Sequence, residues 1–175
     1  MPGKVLLVVD MLNDFIKEDG ALYCGAGAAK IIDKVTDLVR EFNSRGDNIV
    51  FIMDAHDPDD LEFNRFPKHC VKGTAGAELI RELAFASGPN TFKVFKNRYS
   101  GFYRTDLDKT LQRMQPDEVH VVGVCTNICV LYTVEELCNR DYKVVVYRDG
   151  VASFDEQAHQ WALQQMETVL GATLV

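Results

Sequence analysis

A carboxylate, a lysine and a thiol stand close behind three separate apolar runs of the sequence, as Asp10, Lys96 and Cys129. A thiolate can attack a carbonyl carbon, a carboxylate can carry the proton, and a cation can stabilise the charges that form. The three residue types together would therefore serve nucleophilic catalysis. The alternative that the sequence leaves open is a polar, solvated rim at the ends of the apolar runs.

The position of Cys129 favours a reactive thiol. The run 119–124 reads as a buried strand, Thr126 and Asn127 are residues that begin helices, and apolar residues at helical spacing continue to Asn139. We therefore expect Cys129 in the first turn of a helix that follows a strand. The unpaired N–H groups and the positive dipole there favour a thiolate and can hold an oxyanion. The alternative is a small buried hydrophobe, the usual role of a free cysteine.

Asp54 and His56 form a second chemically capable group, behind the apolar run 48–53. Alternate residues of a strand point to the same side, so these two side chains are expected to share a face. A carboxylate and imidazoles with open positions suit zinc, iron or manganese. The alternative is a solvated acidic loop, since four more acidic residues follow closely: Asp57, Asp59, Asp60 and Glu62.

An alternation of strands and helices must position these residues. Unbroken apolar runs predict strands at 4–9, 48–53, 91–95, 118–124, 143–147 and 172–175. Helical spacing of apolar residues predicts helices at 30–44, 77–86, 105–114, 130–140 and 155–170. This pattern is typical of an α/β protein, a three-layer α/β/α fold with a six-stranded, mainly parallel sheet. Such sheets bind ligands at the carboxyl ends of their strands, where the strand order reverses.

Composition excludes several classes of protein. A length of 175 residues with 47% hydrophobic content predicts one globular domain over residues 1–175. A net charge of −7 argues against a nucleic-acid partner. We expect no membrane partner, because no apolar run reaches roughly 18 residues and the first residues do not form a signal peptide. Five scattered cysteines argue against a disulfide framework and for a reducing, cytoplasmic location.

Three segments, taken together, resemble the isochorismatase-like cysteine hydrolases, and among them the nicotinamidases, over nearly the whole chain. These segments are VVDMLNDF at 8–15, FKNRYSGF at 95–102 and GVCTNICV at 123–130. The resemblance implies that Asp10, Lys96 and Cys129 are the catalytic aspartate, lysine and nucleophile. It also implies a cis peptide bond between Val124 and Cys125, and an oxyanion hole formed by the backbone N–H groups of Cys125 and Cys129.

The same resemblance implies a metal site. The segment RFPKHCVKGTAGAE at 65–78 is similar to the one that carries the family's last metal-ligating histidine, which adds His69 to Asp54 and His56. Many nicotinamidases have a further histidine in a His-x-Ser-Phe segment that this chain lacks. Some members use a glutamate seven residues before the last histidine, and Glu62 has that spacing. We therefore expect a divalent metal, zinc first and manganese or iron next, with Glu62 as a ligand directly or through water.

The resemblance also implies a substrate. Phe15, Phe66 and Tyr99 stand at the family's pocket positions and could hold a flat ring, although Phe66 replaces a usual tryptophan. The implied reaction converts nicotinamide to nicotinate and ammonia through a thioester. An amidase or ureidase acting on a carbamoyl compound or another small amide stays open, as does a non-catalytic metal- or ligand-binding module. The partners expected are a small amide and a second copy of the chain in a homo-oligomer.

Overall fold

The computed structural model describes residues 3–175 and contains a six-stranded sheet in which all neighbouring strands are parallel. Its strands are β1 (Lys4–Val9), β2 (Asn48–Asp54), β3 (Thr91–Lys96), β4 (Glu118–Val124), β5 (Val144–Ala152) and β6 (Thr173–Leu174). Their order across the sheet is β3-β2-β1-β4-β5-β6. The predicted α/β fold with a parallel sheet is therefore confirmed, and the strand order reverses at β1.

Helices cover both faces of the sheet. They are α1 (Asn13–Ile16), α2 (Ala26–Lys30), α3 (Ile32–Arg45), α4 (Leu107–Met114), α5 (Leu131–Cys138) and α6 (Glu156–Thr168). A π-helical turn, Thr126–Val130, precedes α5, and three short 3₁₀ turns lie at Leu61–Asn64, Ala75–Ala77 and Arg81–Leu83. Within residues 3–175, none of the helices has the length and apolar character that crossing a membrane would require.

The alternation of side chains in β1 divides the core into two layers. Leu6 and Val8 pack with α1, α2 and α3 on one face, whereas Val5, Leu7 and Val9 pack with α4, α5 and α6 on the other. These five side chains are fully buried, as a strand covered on both faces requires. The central strands are thereby held rigidly, and the residues that follow them are placed by that packing.

The predicted helix at 77–86 is wrong. The segment forms only the two short 3₁₀ turns at Ala75–Ala77 and Arg81–Leu83, because its backbone bonds to another part of the chain. The Ile80 N–H donates to the Met11 carbonyl at 3.1 Å, and Leu79 pairs with Leu12 in an antiparallel bridge. Tertiary hydrogen bonds thus replace the helical ones that the apolar spacing suggested.

Candidate active site

Four neighbouring strands bring their carboxyl ends to one edge of the sheet. Asp54 and Lys96 are the last residues of β2 and β3, Asp10 follows β1 directly, and Cys125 follows β4. Because β3, β2, β1 and β4 are consecutive across the sheet, these residues lie side by side. This edge includes the point of strand-order reversal, where parallel α/β sheets bind their ligands.

Lys96 lies at the centre of a buried charge cluster. Its Nζ lies 2.8 Å from Asp10 Oδ2 and 3.5 Å from Cys129 Sγ, and it also donates to Asp54 Oδ1. The Asp54 N–H donates to Asp10 Oδ1 at 2.9 Å, which orients that carboxylate. The ligand atoms of Asp10, Asp54 and Cys129 all lie within 4.8 Å of one another. The structure therefore brings the three predicted catalytic residues together.

The turn that carries Cys129 begins with an unusual backbone. The peptide bond between Val124 and Cys125 is cis, as the resemblance implied. The Val130 N–H then donates to the Cys125 carbonyl at 3.2 Å, and this wide turn contains Cys129. Thr126, which is fully buried, pairs through Oγ1 with Nδ1 of His159 on α6 at 2.7 Å. The predicted nucleophile, Cys129, is thus held by a turn that is bonded to a neighbouring helix.

The cluster sets the protonation state of its members. Burial and the nearby Asp54 raise the pKa of Asp10 to about 6, although Lys96 opposes the rise, so Asp10 is a carboxylate at neutral pH. Burial also raises the pKa of the Cys129 thiol well above its ordinary value, and the lowering effect of Lys96 does not offset it. The thiolate expected from the helix start is therefore not the resting form. A nucleophilic attack by Cys129 would therefore require a nearby base, and Asp10 is a carboxylate within reach of the thiol.

A second cluster adjoins the first through Asp54. Its Oδ2 lies 3.5 Å from His56 Nε2 and 3.8 Å from His69 Nε2, while its Oδ1 faces Lys96. Glu62 Oε1 lies 3.9 Å from His56 Nε2 and 4.0 Å from His69 Nε2. All four side chains are buried. A parallel bridge between His56 and Val71 holds the two histidine segments together.

The hydrogen bonds of this cluster fit a divalent metal. His56 Nδ1 lies 3.0 Å from Asp60 Oδ2, and His69 Nδ1 lies 2.6 Å from the Pro67 carbonyl oxygen. Both partners are acceptors, so each Nδ1 carries the hydrogen and each Nε2 presents its lone pair. The Nε2 of His56 and Oε2 of Glu62 are buried without hydrogen-bond partners among the described residues. Two imidazole nitrogens within 4.0 Å of the same two carboxylate oxygens, with their second nitrogens bonded to acceptors, are what a metal site requires.

The three predicted aromatic residues line one pocket with both clusters. The ring of Phe15 lies 5.4 Å from that of His69, and the ring of Phe66 lies 6.5 Å from that of Tyr99. The apolar pocket residues that sequence reasoning did not identify are Leu22, Cys24, Val124, Ile128 and Phe154. Leu22, Cys24 and Phe154 come from loops that are distant in the chain from Cys129, so nothing in their local sequence marks them. Val124 and Ile128 belong to the same segment as Cys129, but their residue types alone do not distinguish them from core residues.

Sequence reasoning also missed the roles of Asp60 and Arg98. Asp60 was indistinguishable from its acidic neighbours, yet it is hydrogen-bonded to His56 and to Arg98. A carboxylate four residues after a candidate ligand histidine is the signal that could have singled it out, because a ligating imidazole needs an acceptor for its second nitrogen.

A parallel α/β sheet that gathers a thiol, a carboxylate and a lysine at its strand ends defines a cysteine hydrolase, the class of enzyme to which this site corresponds. The sequence model of the isochorismatase domain matches residues 4–174, nearly the whole chain. The chain belongs to the isochorismatase family, and its relatives make it a hydrolase of amide C–N bonds.

Two relatives illustrate the similarity in sequence. The chain is 38% identical to the isochorismatase family protein PncA of Bacillus subtilis (strain 168), over 97% of each chain. It is 31% identical to the nicotinamidase of Escherichia coli (strain K12), over 99% of this chain and 95% of the other.

Solved structures agree with this placement. The nicotinamidase/pyrazinamidase PncA of Bacillus subtilis superposes with a TM-score of 0.95 at 38% identity, covering 99% of both chains. The pyrazinamidase of Pyrococcus horikoshii, solved in complex with zinc, superposes with a TM-score of 0.90 at 32% identity, covering 99% of both chains. The N-carbamoylsarcosine amidase of Thermoplasma acidophilum gives 0.87 at 32%, covering 98% of this chain and 95% of the other.

Proposed function

We propose that this protein is a metal-dependent nicotinamidase, which converts nicotinamide to nicotinate and ammonia. The observation that carries the proposal is the metal-ligand set of Asp54, His56 and His69, of which Asp54 and His69 line the same aromatic pocket as Cys129. A pyridine ring between the aromatic side chains would direct its ring nitrogen toward the metal and its carboxamide toward the thiol. The similarity to the nicotinamidases of two bacteria supports this substrate.

The proposed reaction begins with proton transfer from Cys129 to Asp10. The sulfur attacks the carboxamide carbon, and the oxyanion that forms accepts hydrogen bonds from the backbone N–H groups of Cys125 and Cys129. Asp10 then returns the proton to the leaving ammonia, which leaves a thioester on Cys129. A water gives one proton to Asp10 and attacks the thioester, so that nicotinate is freed as its acid and Cys129 leaves as a thiolate, which takes the proton back from Asp10. Lys96 keeps Asp10 charged and stabilises the sulfur as it gains negative charge.

The metal would be held by Asp54, His56 and His69, with Glu62 as a further ligand directly or through water. When bound, it supplies a Lewis acid that anchors the ring nitrogen and ordered water. We propose zinc, and the zinc complex of the Pyrococcus relative supports that choice. Manganese and iron are the next metals for a donor set with two carboxylates.

An amidase that acts on a carbamoyl compound is the second candidate. The similarity to an N-carbamoylsarcosine amidase favours it, because that relative shares the fold at 32% identity. The two candidates differ in their use of the metal site and of the aromatic pocket. A carbamoyl substrate has no ring for Phe15, Phe66 and Tyr99 to hold, and it requires no ring-nitrogen anchor.

Ammonia release tests the proposal. Purified protein is mixed with nicotinamide before chelation, after chelation, and after zinc or manganese is added back. We expect release that falls with chelation and returns with metal. No release from metal-loaded protein would exclude nicotinamide, and carbamoyl compounds and other amides would then be assayed in its place.

The variant Cys129→Ala tests the covalent step. It should abolish ammonia release and leave the circular dichroism spectrum unchanged, because one buried sulfur is removed without disturbing the strands. Appreciable turnover by this variant would rule out the thioester. The rate of Cys129 alkylation near neutral pH, with and without nicotinamide, separates an enzyme from a binding module with an inert thiol.

A further inference from the structure

Asp60 lies between two candidate metal ligands in the sequence. It stands four residues after His56 and two before Glu62, immediately before the 3₁₀ turn Leu61–Asn64. Its side chain is only 3% exposed, although its neighbours Asp57 and Asp59 are exposed. A buried carboxylate needs partners, and each of its partners bears on the metal site.

One contact of Asp60 sets the tautomer of His56. Asp60 Oδ2 lies 3.0 Å from His56 Nδ1, and a carboxylate can only accept there. The hydrogen of neutral His56 is therefore held on Nδ1, and the lone pair is held on Nε2. That Nε2 faces Asp54 Oδ2 at 3.5 Å and has no hydrogen-bond partner among the described residues.

A second contact places Glu62. Asp60 Oδ1 accepts the Glu62 backbone N–H at 2.9 Å and so caps the 3₁₀ turn. The cap fixes the direction in which Glu62 leaves the turn, and its Oε1 lies at nearly equal distances from the two histidine Nε2 atoms. The two oxygens of one carboxylate thus position two different ligands.

A third contact holds Asp60 itself. Arg98 Nη1 donates to Asp60 Oδ1 at 2.8 Å and to Oδ2 at 3.1 Å, and it lies 3.9 Å from Glu62 Oε2. Arg98 stands two residues after Lys96, so the contact joins the loop behind the catalytic lysine to the loop that carries the metal ligands. The guanidinium also supplies the positive charge that a buried carboxylate pair requires.

We infer that Asp60 is a positioning residue of the metal site: it presents His56 Nε2 and Glu62 to the metal, and Arg98 holds Asp60 in place. The inference rests on the metal dependence of the proposed function. It differs from a purely structural role, in which Asp60 would only cap a loop and pair with Arg98. Carboxylates that accept the second hydrogen of a ligating imidazole raise metal affinity by about 10- to 100-fold in other proteins.

Direct metal binding tests the inference without using activity. The dissociation constants of zinc and manganese are measured by competition with a chromophoric chelator, for the wild-type protein and for Asp60→Asn. We expect binding to weaken by about 10- to 100-fold in Asp60→Asn. The matched control is Asp59→Asn, which makes the same chemical change at an exposed neighbour and should bind as the wild type does.

A spectroscopic signature separates positioning from loop stability. In the metal-free protein, at a pH where His56 is neutral, long-range ¹H–¹⁵N spectra should show His56 hydrogenated on Nδ1, and Asp60→Asn should lose that preference. Arg98→Met provides a second variant if Asp60→Asn fails to fold, and it should weaken metal binding in the same direction. Equal affinities for the wild type and both variants would overturn the inference and leave the nicotinamidase proposal intact. A wild-type protein that binds neither metal would overturn both.

Discussion

Lys96 is a single residue on which two kinds of chemistry depend. It is buried, and its ammonium group lies between the carboxylates of Asp10 and Asp54, one of which serves the proposed proton transfer and the other the proposed metal site. Burial alone would lower the pKa of Lys96, but the two carboxylates raise it well above its ordinary value. The lysine therefore stays charged and lets both carboxylates stay charged beside it.

The variant Lys96→Met should lose both activity and stability. Two carboxylates would remain buried without a cation. Removing one partner of a buried ion pair lowers the free energy of unfolding by about 3–5 kcal/mol. Urea unfolding of the chelator-treated protein measures the loss, and the ammonia assay should show no turnover.

The control for that variant is Lys4→Met. The side chain of Lys4 is 46% exposed and pairs with Glu118 at the surface, so its removal should cost at most about 1 kcal/mol. Adding Asp10→Asn to Lys96→Met should recover part of the lost stability, because one unpaired charge is removed. Equal unfolding midpoints for Lys4→Met and Lys96→Met would contradict the account of Lys96.

At the scale of residues, the sequence predicted where the functional side chains lie better than it predicted their protonation states. Asp10, Lys96 and Asp54 could be placed because strand ends in a parallel sheet meet at one edge, and that rule needs only the apolar runs. The protonated thiol of Cys129 could not be predicted, because burial and two carboxylates from other strands outweigh its local helix start. The contact of Asp60 with Arg98 could not be predicted either, because the two residues are distant in sequence.

At the scale of elements, the pairing of β1 with β4 places Asp10 beside the turn that contains Cys129. β4 ends in the cis bond before Cys125, and Gly123, one residue earlier, has a φ of 118°. A Cβ atom built on Gly123 would lie 2.0 Å from the carbonyl oxygen of Val9 in β1. The backbones of β1 and β4 approach so closely there that no side chain fits between them.

Gly123→Ala should therefore prevent a stable fold. The methyl group would overlap a rigid strand backbone, so β1 and β4 would have to separate beside Asp10 and Cys125. We expect a loss of more than about 4 kcal/mol, in the range where single changes are exceptional, measured by urea unfolding or as insoluble expression.

Gly171→Ala is the matched control for Gly123→Ala. Gly171 also has a positive φ, 72°, but a Cβ there meets nothing within 4 Å. The free energy of unfolding should fall only by the cost of placing alanine in the left-handed conformation, about 1–2 kcal/mol. If both alanine variants were equally stable, close approach of the strands could not be the reason for glycine at 123.

Elements were predictable where local pattern and tertiary contacts agreed. β1, β2, β3 and β4 have the predicted positions to within a residue. β1, β2 and β4 are short apolar runs buried on both faces, whereas β3 is an edge strand whose Phe92 and Phe95 are exposed. The helix expected at 77–86 failed because backbone bonds to residues near α1 compete for its N–H groups. β5 continues past the predicted end at 147 to Ala152, through a polar stretch that the apolar criterion excludes.

At the scale of the whole molecule, we expect global stability to respond to pH through His120, which lies away from the carboxyl ends of the strands. His120 lies in the middle of β4, with Nδ1 3.0 Å from the Tyr147 hydroxyl and Nε2 3.2 Å from Glu118. Burial lowers its pKa below the ordinary 6.5, the hydrogen bond that Glu118 accepts opposes the fall, and the charges of Lys4 and Arg45 reinforce it. Folded protein therefore keeps His120 neutral at a pH where the unfolded chain binds a proton.

This arrangement predicts that acid weakens the fold. As pH falls through about 6.5, the unfolded state binds the proton first, so the free energy of unfolding decreases until the folded His120 also titrates. Urea unfolding at pH 7.5 and 5.5 should show a smaller decrease for His120→Gln than for the wild type. An identical decrease in both proteins would mean that other groups set the pH dependence.

The separation of β1 and β4 along the chain also has a consequence during synthesis. β1 is complete at residue 9, but β4, its partner on one side, is complete only at residue 124. At about 5–20 residues per second, the ribosome takes roughly 5–20 s to supply that partner. For this interval one edge of a strand that is apolar from Val5 to Val9 stays open, as in the edges that attract aggregation. We therefore expect a nascent chain stalled before β4 to bind chaperones, and Asp10 cannot meet Cys129 until β4 and the turn behind it have been made.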